Sequence, residues 1–225
     1  MAQSVPWIEK LQYPPGTRPL EVSWILALGY IHSRQFEHAI DVVGEIYALP
    51  PGSARARLIA ARLMMREQFE EAAEEQLRNA IALDPTLPGL HQLLGELYLF
   101  RSMPDMALTE FRSELALNPL SAAAFYKIGD AYTRTDQCDQ AIGFLQRSVW
   151  LDPAHSGPYI LLGKCYAKTQ QFATAEGFLR RAIRVDPQNY VAHFQLGRTL
   201  MAMGKTEEAK RMLDRSQQLK KESGQ

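Results

Sequence analysis

Five prolines fall on one arithmetic step: Pro51, Pro85, Pro119, Pro153 and Pro187 lie 34 residues apart. Six alanines keep the same step, at Ala39, Ala73, Ala107, Ala141, Ala175 and Ala209. The stretch Ala122 to His155 shows what is being repeated. It holds two amphipathic helical patterns, a short polar break near Thr135–Gln137, and an Asp152–Pro153 stop. A fixed period of this length in helix-forming sequence means a stacked array. One helix pair cannot bury both of its faces, so neighbouring pairs must share a continuous core.

Counted from Leu20, the repeats run 20–53, 54–87, 88–121, 122–155, 156–189 and 190–223, about nine-tenths of the chain. In each first helix the eighth place is small: Ala27, Ala61, Gly95, Gly129, Gly163 and Gly197. Three places on stand Tyr30, Met64, Tyr98, Tyr132, Tyr166 and Leu200. In each second helix the alanine is followed four residues later by Val43, Leu77, Phe111, Leu145, Leu179 and Leu213. Spacings of three and four put these columns on one face of each helix. Small residues in both helices predict close approach, because mid-helix Gly costs about 1 kcal/mol against Ala and needs a packing reason. Ser53, Ser121 and Asn189 stand where the next helix would be N-capped.

Residues 1–19 lie outside the period. Trp7, Ile8 and Leu11 form one apolar face of a short expected helix, which Pro14, Pro15, Gly16 and Pro19 then end. This arm either covers the open end of the first repeat or docks elsewhere. At the other end, repeat six lacks the closing proline and runs into the polar SQQLKKESGQ. In repeat two, Arg57 replaces the usual aromatic, and Phe69 falls one place earlier than Phe36 and Phe172 do, which predicts a shifted turn there.

The order large or aromatic, Leu-Gly, Tyr, Ala, large apolar, small, Asp-Pro resembles the tetratricopeptide repeat. It reads FYKIGDAY…A…L…S…LDP in 122–155 and YILLGKCY…A…L…A…VDP in 156–189. The resemblance implies an all-α fold, a right-handed α-solenoid (superhelix) of six antiparallel helix-turn-helix units. It also implies a groove, lined by the exposed side of each first helix, that holds a peptide or a partner helix. The family's chaperone-tail carboxylate clamp and its asparagine ladder are not matched here, since Trp24, Leu28, Ile59, Gly89 and Leu93 occupy the clamp places.

No arrangement for catalysis stands out: there is no GxSxG, no Walker loop, no HExxH and no calcium loop. The five histidines lie scattered, and His91 and His193 take the place of Phe125 and Tyr159, which suits aromatic packing better than metal binding. Glu70, Glu71, Glu74 and Glu75 read as a solvated acidic face. The two cysteines, Cys138 and Cys165, belong to no CxxC pair and read as small core residues. No cofactor, metal or small-molecule substrate is expected.

The groove places hold Arg55, Arg62, Arg66, Arg134, Lys164, Lys168 and Arg198 against Glu21, Glu96 and Asp130, seven basic to three acidic. The whole chain has 25 basic and 25 acidic residues, so its remaining surface must be net acidic. A basic wall interleaved with Trp24, Phe100, Tyr126 and Phe194 suits a peptide that offers carboxylates and apolar anchors. Leu28, Ile31 and Leu58 add an apolar patch at the N-terminal end of that wall.

The expectation is therefore a non-enzymatic scaffold for a protein or peptide partner. Its alternative is a self-associating subunit, a homo-oligomer formed through the array ends or the arm. Nucleic-acid binding ranks below both, because a formal charge of zero argues against a general polyanion binder. No run approaches eighteen apolar residues and the N-terminus carries no signal-peptide pattern, so a soluble, cytoplasmic chain without membrane contact is expected.

Overall fold

A computed structural model describes Tyr13 and residues 18–224. The short helix expected from Trp7, Ile8 and Leu11 lies outside these described residues. Within them the regular structure is entirely helical. Twelve α-helices follow one another: α1 Leu20–His32, α2 Phe36–Tyr47, α3 Ala54–Arg66, α4 Glu70–Leu83, α5 Leu90–Phe100, α6 Pro104–Leu117, α7 Ala122–Arg134, α8 Cys138–Leu151, α9 Ser156–Lys168, α10 Phe172–Val185, α11 Tyr190–Ala202 and α12 Thr206–Glu222. The chain divides into two compact bodies, one ending at Ser102 with α1–α5 and one beginning at Met103 with α6–α12.

In the first body α1 packs on α2, α2 on α3, α3 on α4 and α4 on α5. In the second the same succession runs from α6 to α12, and first helices also meet first helices, α7 on α9 and α9 on α11. The small columns set the closeness of each hairpin. A Cβ added to Gly129 would stand 2.5 Å from Leu145 Cγ, and one added to Gly197 would stand 2.7 Å from Leu213 Cγ. Gly163 is likewise filled by Leu179. The leucine four residues after each alanine is the knob, and the missing side chain is its hole.

Helix ends follow from local chemistry. Ser53 and Ser121 accept from the N–H groups of Ala56 and Ala124, and Asn189 accepts from those of Val191 and Ala192. At the stops, Asp84, Asp152 and Asp186 accept from the backbone N–H two residues on, at 3.0, 3.0 and 3.2 Å. The following proline forbids helical backbone at the aspartate, which sits extended.

The turn inside each hairpin is the same throughout. Arg34, Gln68, Ser102, Asp136, Gln170 and Gly204 all have positive φ, between 59° and 75°, at the period of the sequence. The shifted turn expected at Phe69 is absent: Gln68 holds the left-handed place, and Phe69 N–H bonds Met64 O at 2.8 Å as Gln35 N–H bonds Tyr30 O. Phe69 becomes the residue before α4, and its ring meets Phe36 at 5.9 Å and His32 at 5.7 Å.

A polar ladder joins successive hairpins. Arg78 donates to Tyr98 Oη at 2.6 Å, Arg112 to Tyr132 Oη at 2.7 Å, and Gln146 to Tyr166 Oη at 3.3 Å. Leu200 ends the tyrosine column, and Arg180 turns to Glu208 at 2.5 Å and Glu176 at 2.8 Å. Arg57 also earns its odd place. It grips Glu37 through two 2.9 Å bonds, donates to Gly52 O, and reaches Gln76.

Candidate peptide-binding site

In the second body, α9, α11 and the start of α10 enclose a cleft of about 290 Å³. Lys164, Lys168 and Arg198 bring three cations to it, and Phe172, Ala167 and Ala202 supply apolar wall. Gln195 and Thr199 complete the lining. Helical spacing explains the convergence, since Lys164 and Lys168 are one turn apart on α9 and Arg198 faces them from α11.

The cations are not equally available. Lys168 is ion-paired with Asp136, which stands at the left-handed turn before α8. The hydrogen bond and charge of Lys168 hold the Asp136 carboxyl below its usual range, and Lys164 adds to that pull. Arg134 is tied to Asp130 at 3.0 Å, and Arg66 to Glu67 at 3.3 Å. Among the described residues, Lys164 and Arg198 have no ion-pair partner; Arg198 leans over the Phe194 ring at 5.9 Å, and that ring is 43% exposed.

Tyr126 is half-buried, edge-on to His155 at 4.9 Å and under Lys127 at 5.9 Å. Burial raises its hydroxyl pKa, and the Asp130 carboxylate raises it further, so the phenol stays protonated. In the first body, Trp24 is half-buried and edge-on to Tyr47 at 6.1 Å, whereas Arg62 and Arg66 are exposed. Phe100, 69% exposed, lines a separate recess of about 360 Å³ with Phe36, Phe69 and Arg34.

Several groove places are not groove. Ile31, Leu99, Thr133 and Ile160 are buried. Thr133 shows the cause: its hydroxyl meets Cys165 Sγ at 3.7 Å, so the twelfth place faces the next first helix. With Ile31 inside and Trp24, Leu28 and Leu58 half-buried, the expected apolar patch shrinks to partly covered side chains. The cleft also uses Phe172, Gln195 and Thr199, which the sequence pattern does not mark as groove residues. Phe172 carried a signal, as an aromatic opening a second helix beside the two lysines.

The scattered polar residues resolve as packing. His193 is buried, its Nε2 bonded to Pro187 O at 3.1 Å, as Tyr159 Oη bonds Pro153 O at 3.3 Å. Both cysteines are buried and free, and burial with the neighbouring Cys138 thiol pushes Cys165 up to about 12.

Known proteins place this arrangement in a class. Family models described as tetratricopeptide repeat match residues 123–155 and 170–222. Solved structures share the fold. MamA (41-end) from Desulfovibrio magneticus RS-1 is 21% identical with a TM-score of 0.67, covering 75% of this chain and 96% of that one. YrrB, described as a tetratricopeptide-repeat protein with an unusual peptide-binding site, is 23% identical with a TM-score of 0.60, covering 75% and 87%. PilF from Pseudomonas aeruginosa is 17% identical with a TM-score of 0.68, covering 86% and 88%. No curated protein matches the chain significantly by sequence. The chain carries tetratricopeptide repeats, in an all-α fold with twelve helices among the described residues. No helix among the described residues is long and apolar enough to cross a membrane.

Proposed function

We propose that this protein is a non-enzymatic scaffold that holds an acidic partner segment in the cleft between α9 and α11. The convergence of Lys164, Lys168 and Arg198 on a recess walled by Phe172 carries the reading. A carboxylate entering there meets Lys164 and Arg198, which have no ion-pair partner among the described residues, while an adjoining apolar side chain rests on Phe172. Phe194 and Tyr126 extend the apolar contact and Arg134 adds a further cation in the same body, whereas Trp24, Arg62, Arg66 and Phe100 form a separate proposed wall on the first body. The peptide-binding site named for YrrB supports the class of ligand.

Anisotropy of labelled acidic and basic peptides, titrated at several salt concentrations, tests this. Replacing both Lys164 and Arg198 by Gln is expected to weaken acidic-peptide binding at least tenfold and to flatten its salt dependence. Equal affinity of the parent and double variant at low salt would sink the assignment.

A further inference from the structure

A second recess lies on the second helices of the same body, away from the lysine cleft. It measures about 350 Å³ and is lined by Val149 of α8, Tyr159 of α9, and Thr174, Gly177, Phe178 and Arg181 of α10. Phe178 is held in place by a parallel stack on Tyr166, centroids 5.4 Å apart. Arg181 lies over Tyr159 at 5.8 Å. The lining contains no carboxylate.

The helices around it present a matched face. On α10, Thr174, Gly177, Arg181 and Arg184 share one side, and on α8 the same places are Gln140, Gly143, Arg147 and Trp150. All eight are exposed. Trp150 is 68% exposed, with the Arg147 guanidinium 4.3 Å from its ring centroid. The acids of these helices are elsewhere: Glu176 is bonded to Arg180 and Lys205, and Asp139 sits in the first turn of α8. A Cβ on Gly143 or Gly177 would meet nothing within 4 Å, so packing does not require glycine at either place.

We infer that this face is a second docking site, for an acidic protein segment that inserts one large apolar side chain over Gly177. Arg181 and Arg184 meet its carboxylates on one side, and Arg147 with Trp150 receives them on the other. Charge complementarity selects the occupant: among the described residues, Arg147, Arg181 and Arg184 are exposed and none is in an ion pair. The recess selects the anchor, because its walls are two aromatic rings and a valine, with one guanidinium as the only charge. A nucleic acid is disfavoured because the chain's formal net charge is zero. The inference is independent of the lysine cleft, which shares α9 and α10 with this recess but none of its lining residues.

The probe is a set of fluorescein-labelled peptides in which one residue, Leu, Phe, Trp or Ala, is flanked on each side by two glutamates. They are titrated into the full chain carrying Lys164→Gln and Arg198→Gln, so that the lysine cleft does not compete, and into two further variants on that background, with folding checked by circular dichroism. For Phe or Trp, affinity is expected to exceed that for Ala at least fivefold. Gly177→Leu, which fills the recess at a helical position with open space, is expected to weaken binding at least tenfold. Replacing Arg147 and Arg181 by Gln should weaken it at least fivefold. Absence of saturable binding, or binding indifferent to Gly177→Leu, overturns the site. Tighter capture of oligo-dT or of phosphatidylserine vesicles, lost in the same variants, overturns the partner class.

Discussion

Gly163 and Gly177 are both mid-helical, yet they sit in opposite circumstances. The first is occupied by Leu179; the second faces open space. Helix propensity favours Ala at either position by about 1 kcal/mol, but a methyl forced into a filled site costs about 1–3 kcal/mol. Gly163→Ala is therefore expected to lower stability by about 1 kcal/mol and Gly177→Ala to raise it by a similar amount, read from urea unfolding. The left-handed turns give a second test at this scale. Gln170 holds φ at 60° with its side chain exposed. An L-residue there carries strain of roughly 1–2 kcal/mol, and glycine returns only part of that through the unfolded chain. Gln170→Gly should stabilise the chain by about 0.5 kcal/mol in the same measurement, whereas Asp136→Gly also removes the partner of Lys168.

Between helices, the ladder carries charge as well as hydrogen bonds. Burial works against ionisation of Glu74, but bonds from Tyr98, Arg78 and Arg101 outweigh it and hold the carboxyl below its usual range. Glu176 is lowered by Lys205 first, with Arg180 adding to the pull against burial. A carboxyl whose pKa is lower folded than unfolded stabilises the fold above the unfolded value, near 4.3, and loses that contribution as pH falls through its folded value. Acid unfolding followed by circular dichroism should therefore begin below about pH 4.3. Glu74→Gln is expected to reduce stability at neutral pH and to make unfolding less steep in acid; an unchanged acid profile would show that the ladder carries no linkage.

For the molecule as a whole, the period was legible because its signals are local. Proline stops, caps and the small columns each act within a few residues, and all keep one step. Places that depend on how helices meet were not legible: Ile31 reads as part of the apolar groove patch and is buried. Nor did the reading of first helices show that Asp136, from a turn, would hold Lys168. On α8 and α10, Gly143 and Arg147 and their counterparts Gly177 and Arg181 keep the same step, but one repeat's pattern does not show that they flank a recess. Burial by a neighbour is a property of pairs of repeats, and one repeat's pattern cannot display it.

The ladder has a further implication for how such chains are assembled. Its joints differ: arginine to tyrosine twice, glutamine to tyrosine once, then arginine to glutamate where Leu200 offers no hydroxyl. Exchanging the fifth and sixth repeats would set Leu200 against the Gln146 amide and leave Arg180 with Glu176 alone, without Glu208. The modules look interchangeable along the sequence, but the last two seams each suit a particular successor, so the order of the final repeats is itself encoded.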